Sequence, residues 1–305
     1  MKLMTLNTHS LMEKEYESKL RAFVEGVFME KPDIIALQEV NQSQNAGPAD
    51  PDELTASGYI PCSPCEDQTS GSSGQTPGGP PAIIRSDNHA FRLAKLLRSR
   101  GLPFQWTWAG AKTGYGRYDE GLALFSRLPV LTTRQFYITG IRDYSNWKTR
   151  KILGISVASE HGMEYFYSVH MGWWEDEEEP FKAQWDRICR KLAPVPGPVW
   201  LMGDFNSPAH IRGQGRDYIL DSGWLDSYQL AEVKDEGITA GHAIDGWKER
   251  GELPGMRIDY IWTSRPVPVR SSRTAFNGAL YPVVSDHFGI IAEYESGHCP
   301  LKGAE

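Results

Sequence analysis

The chain has 305 residues, 40% of them hydrophobic and 23% charged, with a formal net charge of −7. This ordinary globular composition excludes a fibrous or disordered chain, and no apolar run approaches the ~20 residues that span a bilayer. The acidic balance weighs against a long nucleic acid as partner, because proteins that hold one usually carry basic surface to neutralise its phosphates.

The first residues, Met1-Lys2-Leu3-Met4-Thr5-Leu6-Asn7, read as a strand at 2–6 running into polar residues. They lack the long apolar segment of a signal peptide, so the expected location is the cytoplasm. Over 13–31 the positions Leu20, Phe23, Val24, Val27 and Phe28 recur at helical spacing, and Lys31-Pro32-Asp33 stops the helix. Ile34-Ile35-Ala36-Leu37 is a buried strand that runs out at Gln38-Glu39. Residues 45–83 are rich in Gly, Ser and Pro and read as a long loop inserted into one domain that spans 1–305. Cys62 and Cys65 lie in it, with Cys189 and Cys299 elsewhere. Pro61 and Pro64 bar the helix that a thioredoxin-like Cys-x-x-Cys opens, and no second pair completes a zinc site, so these are two thiols in a loop.

A helix over 88–100, apolar at Phe91, Leu93, Leu96 and Leu97, stops at Gly101. Strands follow at 104–108, 121–125, 130–138, 151–158 and 163–169. A helix over 180–193 carries Phe181, Trp185, Ile188 and Leu192 on one face. The acidic residues just before it, Glu175 to Glu179, complement its dipole. Strands at 198–202, 257–262, 267–275 and 288–294 and a short helix at 214–222 complete the set. Many short strands with few helices make an α/β sandwich of two packed sheets.

One pattern recurs. An apolar strand ends and presents a residue suited to metal or phosphate: Asn7 after Leu6, Glu39 after Leu37, His170 after Val169, and Asp204 with Asn206 after Gly203. Asp259 sits between Ile258 and Tyr260, and Asp286-His287 precedes another strand. Strand ends are rigid, so side chains from separate strands can meet at one rim. Hard oxygen donors suit Mg²⁺ or Mn²⁺. A phosphoester needs a cation, a base for water and donors for its oxygens, and Asp, Asn and His supply them.

Taken together, Thr5-Leu6-Asn7, Leu37-Gln38-Glu39-Val40, Val169-His170, Gly203-Asp204-Phe205-Asn206, Arg257-Ile258-Asp259-Tyr260-Ile261 and Ser285-Asp286-His287 resemble the endonuclease/exonuclease/phosphatase superfamily. The resemblance implies a deoxyribonuclease-I-like fold: a four-layer αββα sandwich of two mixed or antiparallel sheets flanked by helices. It implies Glu39 as the main metal ligand, with Asn7 beside it and Asp286 completing the site. Asp204 and Asn206 would orient water and hold phosphate, and Asp259 would orient His287. His170 would assist at the phosphate or leaving group, with Glu120 orienting it and Tyr118 donating to phosphate. His287 and Asp204 both qualify as general base.

Leu6-Asn7-Thr8-His9-Ser10, Gln38-Glu39-Val40-Asn41-Gln42, Tyr118-Asp119-Glu120-Gly121, Trp147-Lys148-Thr149-Arg150, His170-Met171-Gly172-Trp173-Trp174 and Ile244-Asp245-Gly246-Trp247 are similar to the bacterial maltose-6′-phosphate phosphatase branch. That implies a small phosphorylated sugar as partner. Trp147, Trp173, Trp174 and Trp247 have faces suited to sugar rings, and Arg150 to a phosphate, with Lys148 reading more as a strand-edge charge. His242 and Asp245 are further candidates for substrate contact. A nuclease on the same metal chemistry and a non-catalytic phosphate- or sugar-binding protein are the competing readings.

Overall fold

A computed structural model describes residues 1–67, 83–160, 162–241, 244 and 255–295. In chain order the elements are β1 (Lys2–Asn7), a 3-10 turn (Ser10–Met12), α1 (Tyr16–Glu30), β2 (Ile34–Ser43), α2 (Pro51–Ala56), α3 (His89–Ser99) and β3 (Gln105–Gly114). There follow β4 (Tyr118–Ser126), β5 (Val130–Tyr137), β6 (Lys151–Ser159), β7 (Gly162–His170), α4 (Phe181–Leu192) and β8 (Val199–Asp204). Last come α5 (Gly215–Asp221), β9 (Leu225–Asp226), α6 (Ser227–Leu230), β10 (Val233–Lys234), β11 (Asp259–Thr263), β12 (Val269–Ala275) and β13 (Gly289–Tyr294). No helix among the described residues is long and apolar enough to cross a membrane.

These strands form a seven-stranded sheet, β10-β12-β13-β1-β2-β4-β3, and a six-stranded one, β5-β6-β7-β8-β11-β9. Alternation along β2 explains why both its faces are apolar. Ile34 and Ala36 point inward, where with Leu3 and Leu124 they meet Leu153, Phe166, Trp200 and Met202 of the second sheet. Ile35 and Leu37 point outward, under Phe23 and Val27 of α1 and Leu93 and Leu97 of α3. On the far side Trp185 and Ile188 of α4 and Ile219 of α5 cover Tyr167, Leu201 and Trp262. The layers are therefore helix, sheet, sheet, helix, the expected sandwich.

Both sheets place a parallel pair at their centre: β1 beside β2, and β7 beside β8. A buried polar strut joins them. The Gln38 amide donates to Ser168 Oγ at 2.9 Å, and that hydroxyl donates to the Leu37 carbonyl at 2.8 Å. Buried polar groups that are paired in this way fix spacing as well as energy, so the strand ends just above keep a set separation.

The stretch expected as one long loop contains structure. Asp50 accepts from the amides of Asp52 and Glu53, and Pro51 follows it at the first helical position, so α2 forms. Tyr59 bridges to Trp106. Cys62 and Cys65 carry free thiols, as does Cys189. Residues 68–82 of that stretch, and Cys299, lie outside the described residues.

His89 opens α3 and is buried, with the Tyr16 hydroxyl 2.9 Å from Nδ1 and no partner for Nε2. Burial, assisted by the Arg92 charge, pushes its pKa down to about 3. The unfolded chain therefore binds a proton below the ordinary value near 6.5 that the folded chain refuses, and stability falls as pH drops through that range towards 3. We expect the Tm of the wild type to fall more steeply between pH 6.5 and 4 than that of His89→Gln. Parallel curves would show that His89 is not the group responsible.

Candidate active site

Two β-bulges open on opposite sides of β4, next to the same residues. Leu37 pairs with Ala123 and Val40 with Gly121, which leaves one extra residue on β2. Gly110 pairs with Gly121 and Lys112 with Glu120, which leaves one extra on β3. Bulges re-aim side chains. The first gives Glu39 a left-handed backbone (φ 50°), so Glu39 is a bulge inside β2 and not the residue after its end. The second turns Lys112 inward, where it is buried.

The other strands deliver by register. Asn7 lies opposite Gln38, one residue from Glu39. Asp204 ends β8 with His170 of β7 on one side and Asp259 of β11 on the other. Gly203 must precede it: φ is 144°, and a Cβ there would stand 2.0 Å from the Val169 carbonyl oxygen. Asn206 takes the left-handed region (φ 47°), which asparagine tolerates.

Hydrogen bonds knit these groups together. The Asn7 amide donates to Glu39 Oε1 at 2.9 Å and to Asp204 Oδ2 at 3.2 Å. Asp204 Oδ1 accepts from the Asn206 amide at 2.8 Å. The Asn206 side-chain amide donates to the Met171 carbonyl at 2.9 Å. His287 Nδ1 lies 2.9 Å from Asp259 Oδ2, while its Nε2 lies 3.8 Å from Asp204 Oδ2. His170 Nε2 is 3.6 Å from the same oxygen. Two imidazoles thus face one carboxylate.

Their charges differ. Burial opposes protonation of His287, but the Asp259 carboxylate and then that of Asp204 outweigh it and hold its pKa well above the ordinary value. His170 is pushed well below, by burial and by the nearby Arg150 and Lys112 cations. Burial and the Asp259 charge raise Asp204. Glu39 rises to about 6 through burial and repulsion from Glu120 and Asp286.

Glu39 fits a cation. Its Oε2 is buried without a hydrogen-bond partner, and carboxylates crowd it. A hard divalent ion held by Glu39, with Asn7 and Asp286 at hand, would relieve both problems. His9 and Glu13 stand beside Asp286, with His9 Nδ1 2.8 Å from Glu13 Oε1 and 3.9 Å from Asp286 Oδ1. Glu13 is already neutralised by His9 and Lys19, so Glu39 is the better anchor. Sequence reasoning passed over His9, Glu13 and Lys112. The four-residue spacing from His9 to Glu13, close after Asn7, was the only available signal for the first two.

Several expected roles meet a different geometry. Glu120 pairs with Lys112 (3.2 Å), and no bond to His170 is found among the described residues. The Tyr118 ring is buried and its hydroxyl donates to the Leu11 carbonyl at 3.4 Å, which engages it within the scaffold. Trp174 turns away from its neighbour to pack on Phe181 and Tyr218. Lys148 is tied to Asp176 and Glu178. Trp147 is 53% exposed and tilts on Trp173 with ring centroids 5.7 Å apart. Arg150 is buried and donates to the Trp147 carbonyl at 2.9 Å. His242, Asp245 and Trp247 lie outside the described residues.

The profile of the Endonuclease/Exonuclease/phosphatase family matches residues 4–287. Among solved structures, an endonuclease/exonuclease/phosphatase family protein from Leptotrichia buccalis is similar at 28% identity and TM-score 0.78, over 97% of this chain and 99% of that one. A mannosyl-6-phosphatase from Bacteroides thetaiotaomicron is similar at 15% identity and TM-score 0.59, with 97% and 99% covered. A humanized TDP2 of D. rerio is similar at 14% identity and TM-score 0.57, with 97% and 99% covered. No curated protein sequence matches the chain.

Proposed function

Because the chain belongs to the endonuclease/exonuclease/phosphatase family, whose members hydrolyse phosphoester bonds, we propose that it is a divalent-metal-dependent phosphatase acting on a phosphorylated sugar such as maltose 6′-phosphate. The observation that carries the sugar is the exposed Trp147 ring tilted on Trp173 at the rim. Its own carbonyl accepts from Lys112 and Arg150 at 3.0 and 2.9 Å, and those two cations line a small cavity with His170. An aromatic face beside a phosphate-binding floor suits a sugar ring joined to a phosphate. The mannosyl-6-phosphatase neighbour agrees in substrate class.

Glu39, Asn7 and Asp286 would hold the cation, with Mg²⁺ or Mn²⁺ suited to such oxygens; bound there, it would neutralise phosphoryl charge. Asp204 is the better base. Its raised pKa lets it take a proton from water near neutral pH, whereas His287 is already charged and is suited to donate to a phosphoryl oxygen. His170, neutral, can hydrogen-bond there without adding charge. Asn206 keeps Asp204 aimed through its backbone N–H.

The test is phosphate release with Mg²⁺ and with EDTA from maltose 6′-phosphate, glucose 6-phosphate, and single- and double-stranded DNA. Metal-dependent release from a sugar phosphate with DNA intact is the expected result. Cleaved DNA with untouched sugar phosphates would place the protein among the nucleases. For Trp147→Ala we expect KM for the sugar phosphate to rise ~10-fold with kcat little changed, since ring stacking binds ground and transition states alike. A kcat effect with unchanged KM would mean that Trp147 does not bind the sugar.

A further inference from the structure

Arg150 is only 4% exposed, and its Nε is buried with no hydrogen-bond partner. Its guanidinium donates to a neutral backbone oxygen, that of Trp147, at 2.9 Å. Among the described residues no carboxylate pairs with it, whereas Lys112 has Glu120 and His287 has Asp259. Lys151, the other buried cation lining the cavity, also lacks a carboxylate but donates to the Gly110 carbonyl and the Gln135 side-chain oxygen. Burying a charge without a counter-ion is costly, and proteins avoid it unless a ligand supplies the partner. The charges of Glu120, Glu39 and Asp204 reach Arg150 only at longer range. Two of those are the carboxylates that a metal ion and an attacking water would engage. With them engaged, the cavity sets three cations, Arg150, Lys112 and Lys151, against one carboxylate, Glu120, which is already paired with Lys112. Lys112 spends two of its three donors on the Trp147 carbonyl and Glu120, at 3.0 and 3.2 Å.

Building on the phosphatase reading above, we propose that Arg150, supported by Lys112, selects phosphomonoesters by binding the second negative charge of their phosphoryl group. A phosphodiester keeps one negative charge, whereas a monoester carries close to two at neutral pH, its second pKa being near 6. A guanidinium already desolvated and held by the Trp147 carbonyl binds that extra charge strongly. The ester's alkyl group would then point away from Arg150, towards the open rim where Trp147 lies. Charge selection and sugar binding thus meet in one loop, because Arg150 holds the backbone of the residue whose ring is offered to the sugar.

The test compares wild type, Arg150→Met, Arg150→Lys and Lys112→Met on p-nitrophenyl phosphate and bis-p-nitrophenyl phosphate. It adds the affinity of inorganic phosphate for the EDTA-treated proteins by calorimetry, and the Tm of each. We expect Arg150→Met to lower the monoester-over-diester ratio of kcat/KM by ~10- to 100-fold and to weaken phosphate binding to the metal-free protein. Its Tm without phosphate should be at or above that of the wild type, because an unpaired buried charge has gone. Arg150→Lys should restore part of the ratio. An unchanged ratio, or a lowered Tm with phosphate affinity intact, would assign Arg150 to the scaffold and overturn the proposal. If the wild type cleaves only the diester, it is the phosphatase reading that fails. Phosphate binding to the EDTA-treated proteins then judges Arg150 alone: loss in Arg150→Met keeps it as an anion site, and no loss removes it.

Discussion

Glu39→Gln should release no phosphate above background, a loss of ~10³-fold or more, and yet give a metal-free protein more stable at pH 7 than the wild type. The two effects share one cause. Glu39 is held on a bulge with Oε2 unpartnered, amid carboxylates that raise its pKa to about 6. The folded chain therefore holds a proton on Glu39 that the unfolded chain has lost above its ordinary value near 4.5. Stability of the metal-free wild type falls as pH rises from about 4.5 to about 6, by about 2 kcal/mol, and stays lower above that. Gln keeps the bond from Asn7 to the side-chain oxygen and removes the charge. Its Tm should match the wild type near pH 4.5 in EDTA and exceed it at pH 7. Added Mg²⁺ should reverse the order at pH 7, because only the wild type gains from binding. Calorimetry should find Mg²⁺ binding in the wild type alone. A variant that keeps turnover would remove Glu39 from the metal site, and one less stable than wild type at both pH values would mean the carboxylate is structural.

The same bulge marks where sequence reading stopped short. The apolar runs ending at Asn7, His170 and Asp204 were legible because β1, β7 and β8 do end there, and period-two burial makes such runs conspicuous. At Glu39 the polar run Gln38-Glu39, followed by Asn41-Gln42, looked like an end. Asn41 and Gln42 are instead wholly buried in the continuing strand, because β4 pairs with their backbone and the Asn88 amide donates to the Gln42 side chain, partners that no local pattern announces. Lys112 was missed for the same reason. In Ala111-Lys112-Thr113 it reads as a solvated side chain, and only the β3 bulge turns it inward. Trp173 and Trp174 show the complement. Adjacent residues point to opposite sides, so one shares the rim with Trp147 and the other packs beneath on Phe181. Sequence proximity to His170 cannot say which. The α2 cap at Asp50-Pro51 was readable, but the surrounding Gly/Ser/Pro composition obscured it.

Asp259→Asn should lower kcat by ~10³-fold while leaving metal affinity and KM nearly unchanged, as loss of an orienting carboxylate behind an imidazole does in hydrolytic sites. Asp259 is buried, and it holds His287 Nδ1 at 2.9 Å with its other oxygen unpartnered. Its charge is the chief reason that His287 stays protonated against burial. Asn can still occupy the space, but it brings no charge. The His287 pKa then falls, and the imidazole loses its proton at a pH where the wild type keeps it. The descending alkaline limb of the pH–kcat profile should therefore move to lower pH, and activity at pH 6 should suffer less than activity at pH 8. Asp204 gains from the same change, since the Asp259 charge helps to raise it; its pKa should fall, moving the acid limb down as well. A bell displaced to lower pH, with a reduced maximum, distinguishes this coupling from simple misplacement, which lowers the curve without moving it. Asp259→Asn combined with His287→Gln should cost little more than His287→Gln alone, because one residue acts through the other. Multiplicative losses would mean that the two residues work independently, and that the charge on His287 owes nothing to Asp259.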